Sequence, residues 1–219
     1  SPGPLTIDAE RAITLRAPLP LPASPQAQVT VQARSRLLAV HPRGKGSAFS
    51  EFETEVLDAT GQVCVSIVTG VFQRGVAGIG DIEPFTGCGS SRSNKVTLPE
   101  RAPDFVLAAT IAANQAQLYR LSGDYNPLHI DPEAARFGGF PAPILHGLCT
   151  YGHCAQLLLG ALCDGDARRF GTLKARFSAP VYPGDELRIV GWRDGVGRVL
   201  FEARVGDKTV VSQASFDHH

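Results

Sequence analysis

The segment SGDYNPLHIDPEAARFGGFPAPILHG, residues 122–147, gathers three acids (Asp124, Asp131, Glu133) and two histidines (His129, His146) among apolar residues, glycines and prolines. A solvated loop has no need of so many titratable groups in that company. Asp124 and His129 are close in sequence, and Pro127 drives Asn126 out of helical geometry. The bend can bring the carboxylate and the imidazole toward one point. Such a pair suits general acid–base chemistry, because His titrates near neutrality and a carboxylate orients it or serves as a second base. An Asp cap and a His bonded to nearby backbone have the same spacing, so spacing alone leaves both readings open. Gly147 stands in the first turn of an expected helix, where unpaired amides and the positive end of the helix dipole face outward. A glycine there admits the close approach of a substrate oxygen, as an oxyanion site requires. Simple helix packing also accounts for one glycine.

Two other chemistries are weaker. His146, Cys149 and His153 fall at i, i+3 and i+7 on one helical face, a spacing zinc can use. They lie on an expected core helix with no ligand loop and no second pair, so no metal is expected. Cys149 as a nucleophile needs a helix terminus or a basic partner to lower its pKa, and only the first is near. GVAGIG, residues 75–80, resembles a phosphate loop in its glycines alone. A phosphate loop leads directly into a helix, and DIEPFTGCGSS cannot form one.

The elements that must hold these residues follow from patterning. Residues 1–25 are proline-rich and read as a linker-like arm with a short extended segment in LTIDAERAITLRA. QVTVQARSRLLAV, GSAFSEFETEVLDA and VCVSIVTGVFQRG read as three antiparallel strands, with turns at HPRGKG and DATGQ. In the middle one Phe49, Phe52 and Val56 alternate with acids between them. Residues 103–121 begin extended and turn helical in ANQAQLYRLSGD. DPEAARF is a short helix capped by Asp131. HGLCTYGHCAQLLLGALC, residues 146–163, is apolar on nearly every face and is expected to be a buried helix. TLKARFSAPV, DELRIVGWRD, GRVLFEARVG and KTVVSQASF are strands joined by YPGD, DGVG and GD turns. The second half is therefore a buried helix followed by a four-stranded antiparallel sheet. That is the hotdog arrangement, an α+β fold, and the first half reads as an incomplete copy of it. The expected divisions are 1–80 for the incomplete repeat, 81–102 for a linker and 103–219 for the unit with the site.

Composition narrows the partners. Formal net charge is zero, with 21 basic and 21 acidic residues and no basic block, which argues against a nucleic-acid or anionic-membrane binder. The longest apolar run, CAQLLLGALC, is about half a membrane span. Five cysteines without regular spacing point to reduced thiols inside a cell.

YRLSGDYNPLHIDPEAARFGGFPAPILHGLCTYG, residues 119–152, resembles the signature of the MaoC-like, (R)-specific type-2 enoyl-CoA hydratases. ARFSAPVYPGDEL fits the same family, and APLPLPASPQ, GKGSAFSEFETEVLDATGQ and FQRGVAGIGD resemble the first repeat of its two-repeat members. The resemblance implies a double hotdog and reversible hydration of trans-2-enoyl-CoA to the (R)-3-hydroxyacyl-CoA in fatty-acid metabolism. Asp124 and His129 are then the catalytic pair, Asn126 a residue that holds them and Gly147 the backbone oxyanion donor. Ser122, Phe140, Pro143, Ile144 and His146 are expected to contact substrate, and Arg136, Lys174 and Arg176 to meet the phosphates of coenzyme A. No cofactor beyond the thioester substrate is implied. A homodimer or pseudo-dimer of hotdog units is expected, in the cytoplasm or, in a eukaryote, the peroxisome. The chain departs from the pattern at its start, where two-repeat members carry a helix over the first sheet, so the first repeat is expected to be incomplete. Three rivals share the fold. A 3-hydroxyacyl-ACP dehydratase has the same site and needs a basic collar for its acidic carrier. A non-catalytic subunit predicts loss of the dyad. A hotdog thioesterase places its acid on or beside the central helix, and no acid lies between Gly147 and Cys163.

Overall fold

The computed structural model describes residues 5–24, 26–44, 46–75, 83–86 and 95–219. Most of the glycine run 75–80 and much of the 81–102 linker lie outside them, as does Cys88, the fifth cysteine. The chain divides into two compact units, Ser1–Val96 with Phe170–Lys174 and His219, and Thr97–Arg169 with Ala175–His218.

In the first unit, β1 (Leu5–Leu15), β2 (Gln32–Pro42), β3 (Ser47–Leu57), β4 (Val63–Arg74) and the short β5 (Phe85–Thr86) form a sheet in the order β5-β2-β3-β4-β1. Every pairing in it is antiparallel. The expected turns at 41–46 and 58–62 join β2 to β3 and β3 to β4. In the second turn, Asp58 Oδ1 accepts from the Thr60 and Gln62 amides. β1 is a full 11-residue strand rather than a short segment in an arm.

β3 turns two acids inward. Glu51 and Glu53 are each 1% exposed while Phe52 between them is 37% exposed. Ion pairing reverses the simple apolar-in rule. The Arg36 guanidinium binds Glu53 through Nε at 2.8 Å and also through Nη2. Ser66 Oγ donates to Glu53 at 3.2 Å. His41 Nε2 meets Glu51 at 3.0 Å. A buried acid with partners is tolerable, and period-two patterning reports only which residues share a face, not which face is covered.

In the second unit, β6 (Phe105–Thr110) leads to a short helix α1 (Gln115–Arg120), a 3-10 turn (Pro127–His129), α2 (Pro132–Phe137) and the 17-residue α3 (Gly147–Cys163). β7 (Phe170–Phe177, whose residues 170–174 count with the first unit), β8 (Glu186–Arg193), β9 (Arg198–Val205) and β10 (Lys208–His218) follow, giving the order β7-β10-β9-β8-β6. This antiparallel sheet with one long helix is the expected hotdog arrangement. The YPGD turn between β7 and β8 needs its glycine: Gly184 has φ +98, a left-handed conformation that a side chain strains. Its amide donates to Ile111 O at 2.9 Å, tying the turn to the end of β6.

α3 is not buried all round. Cys149, Thr150, Tyr151, Cys154, Leu158 and Cys163 point inward. Gly152, Gln156, Gly160 and Ala161 are exposed along an open groove of about 1000 Å³ shared with β6. The apolar, small-residue composition predicted burial, but this unit covers one face only. The helix stops where Asp164 takes a left-handed conformation, its N–H bonded to Leu159 O.

Candidate active site

Two local rules shape the Asp124–His129 loop. Gly123 has φ +112, so the chain can leave α1 by a turn that only glycine takes freely. Asn126 then caps the 3-10 turn: its side chain accepts from the Leu128 amide at 3.0 Å, and Pro127 occupies the first position. Asp124 Oδ1 accepts from the Asn126 amide at 3.2 Å. The carboxylate of Asp124 stays exposed, whereas His129 is only 8% exposed.

His129 has a defined tautomer. Its Nδ1 lies 2.8 Å from Ile144 O. A carbonyl only accepts, so Nδ1 carries the proton and Nε2 the free lone pair. The 143–146 segment that supplies this carbonyl is itself fixed, because the Leu145 amide donates to Val181 O at 2.7 Å. His146 follows as the residue before α3 and is 1% exposed. Its Nε2 donates to the backbone carbonyl of Asp124 at 3.3 Å. Its ring stacks on His129 with centroids 3.7 Å apart, and Tyr119 tilts against it at 4.7 Å. Burial, and next the neighbouring His129, push the His146 pKa below the usual imidazole value.

Asp124, His129 and His146 each offer a ligand atom, all within 4.8 Å of one another. That spacing lets one water bridge the acid and an imidazole. A metal ion also fits it, and this trio differs from the His146, Cys149 and His153 set that helical spacing suggests. One nitrogen of each ring is already committed to a carbonyl, which leaves two nitrogens and the carboxylate. Cys149 is buried, and burial pushes its thiol up, so it is not an activated nucleophile.

Gly147 opens α3, so its N–H has no partner within the helix. A Cβ built on it would meet the Phe177 ring at 3.6 Å, an ordinary contact. Packing therefore does not demand a glycine here. Ile144 contributes its backbone to the site, while Phe140 and Pro143 are half-buried on the segment leading to it. Four further expected contacts have these surroundings. Ser122 Oγ donates to Tyr119 O at 2.8 Å, a helix-end bond. Arg136 is exposed in the last turn of α2. Arg176 is exposed on β7. Lys174 belongs to the first unit, beside a small cavity with Glu10, Arg11 and Glu51. Tyr119 and Phe177 were not singled out from sequence. Both lie inside the motif segments, but only tertiary packing sets them against His146 and Gly147.

Residues 94–215 match the family model described as MaoC like domain. The chain is 36% identical over 214 residues to the enoyl-CoA hydratase 2, peroxisomal, of Arabidopsis thaliana, covering 95% of this chain and 67% of that protein. It is 47% identical over 139 residues to the peroxisomal multifunctional enzyme type 2 of Mus musculus, covering 60% of this chain and 19% of that one. A crystal structure of a MaoC-like dehydratase from Phytophthora capsici superposes with a TM-score of 0.84 at 34% identity, covering 98% of this chain and 72% of that chain. The chain thus spans between about a fifth and two thirds of the length of these curated relatives.

Proposed function

As the chain belongs to the MaoC-like domain family, we propose that it is an (R)-specific enoyl-CoA hydratase, acting in reverse as a 3-hydroxyacyl-CoA dehydratase. The observation that carries this reading is the His129 tautomer: Ile144 O holds the proton on Nδ1, and the free Nε2 is the basic atom a hydratase needs close to a carboxylate. Asp124 and His129 hold one water. As its oxygen attacks C3 of the enoyl thioester, the pair takes one of its protons. The same pair returns a proton to C2, so the elements of water add across the double bond and the enzyme regains its starting state. Negative charge grows on the thioester oxygen, and the Gly147 N–H at the helix start stabilises it. The name of the Arabidopsis relative supports an acyl-CoA substrate. No step needs a metal, so chelator leaves kcat unchanged, and a loss of activity restored by one divalent cation overturns that part. The protein works in the cytoplasm or, in a eukaryote, the peroxisome, as a homodimer or pseudo-dimer of hotdog units.

The test is hydration of trans-2-enoyl-CoAs of several chain lengths, followed as loss of the enoyl-thioester absorbance. Asp124→Asn and His129→Gln each lower kcat by about a hundredfold or more. Both variants retaining wild-type turnover would remove the pair from the chemistry. Absence of hydration by the folded wild type, with turnover of enoyl-ACP instead, would replace coenzyme A by a carrier protein.

A further inference from the structure

We infer that His146 is a positioning residue that holds Asp124 and His129 in register at the start of α3, rather than a residue that contacts substrate. This rests on the acid–base role proposed for that pair. The His146 side chain reaches both members. Its Nε2–H binds the Asp124 carbonyl at 3.3 Å, and its ring lies against the His129 ring at 3.7 Å with planes 27° apart. Through the backbone it is also joined to Gly147.

The side chain is committed to this task. His146 is the N-cap of α3, yet it makes no side-chain capping bond. A residue at that position ordinarily accepts from an amide in the first turn. Tyr119 closes over the ring, leaving 1% of the residue exposed, so a substrate atom has no route to it. Among the described residues the buried Nδ1 has no hydrogen-bond partner. In the neutral ring this atom is a bare lone pair. A proton there would become a buried donor with no acceptor, beside His129 and within the field of Arg120, and the nearby Asp124 carboxylate only partly offsets them. The ring therefore stays neutral. A neutral face beside His129 leaves room for positive charge on that imidazole during turnover, where a second imidazolium would repel it.

Displacing a reacting group by about 1 Å costs up to roughly a hundredfold in rate, so a positioning role shows in kcat. His146→Phe keeps an aromatic ring for the stack and removes the donor to Asp124. It is expected to lower kcat by at least about tenfold with KM changed by less than about twofold. In the Asp124→Asn background the same substitution is expected to cost less than about threefold, because the residues act together. Trp192 fluorescence verifies folding. If the Phe variant does not fold, His146→Gln, which keeps an N–H donor and loses the ring, is held to the same criteria. A variant with kcat preserved and KM raised overturns the inference in favour of substrate contact. Equal losses in the two backgrounds overturn it as well. If Asp124→Asn and His129→Gln are inactive while His146→Phe is fully active, the inference alone fails. If those two are active, the dyad reading fails and takes the inference with it.

Discussion

At Gly147 packing and chemistry make opposite demands, which is what makes the position informative. An added Cβ would meet Phe177 at 3.6 Å, and alanine is favoured over glycine in a helix by about 1 kcal/mol in mid-helix. Gly147→Ala is thus expected to leave the unfolding midpoint unchanged or slightly raised. A thioester oxygen approaching the Gly147 N–H would meet the new methyl, however, and kcat is expected to fall toward the loss of about a hundredfold or more that removing one oxyanion donor causes. Paired measurement of stability and turnover separates the two. A stable variant with full activity would mean that the oxyanion is bound elsewhere. The same logic explains why the role of this glycine was open in the sequence: its type fits both readings, and only the space around it tells them apart.

The 3-10 turn shows how a short element holds a functional side chain. Asn126 caps it through Leu128, and the turn ends on His129. Replacing Asn126 by Ala removes the cap at a cost of about 1 kcal/mol and frees the turn that aims the imidazole. Asp at that position keeps an acceptor. Urea unfolding should rank wild type and Asn126→Asp above Asn126→Ala, and hydration rates should follow the same order. Equal rates in all three would show that the loop is held by other contacts. The bend at Asn126-Pro127, the Asp131 cap of α2 and the strands after α3 were legible in sequence, because each depends on neighbours a few residues away. The inward Glu51 and Glu53, the open side of α3 and the Tyr119–His146–His129 stack were not. They depend on Arg36, His41, β6 and Tyr119, which only the fold brings near, and local periodicity carries no information about such partners.

The chain folds as two units, so a stability measurement on the whole molecule mixes them unless its probe is confined to one. Trp192 provides that probe. It is the sole tryptophan, it lies on β8 in the unit that holds the site, and it is 6% exposed, with its Nε1–H donating to Arg101 O at 2.9 Å. In the same unit, burial lowers the pKa of both His146 and His153. Each therefore binds a proton more readily in the unfolded chain than in the folded one. The sign follows: their contribution to stability is complete above the unfolded histidine value of about 6.5, and it is lost as pH falls from there toward the lower folded values. Urea unfolding followed by Trp192 fluorescence should show a midpoint that holds above about pH 7 and declines below about pH 6.5, with the m-value unchanged. His146→Phe should reduce the slope of that decline, since one of the two groups is gone, and His153→Asn should reduce it independently. A wild-type midpoint that stays flat as pH is lowered through this window would mean that both rings accept a proton in the folded state as readily as in water. That outcome would contradict the neutral His146 on which the geometry of the pair depends.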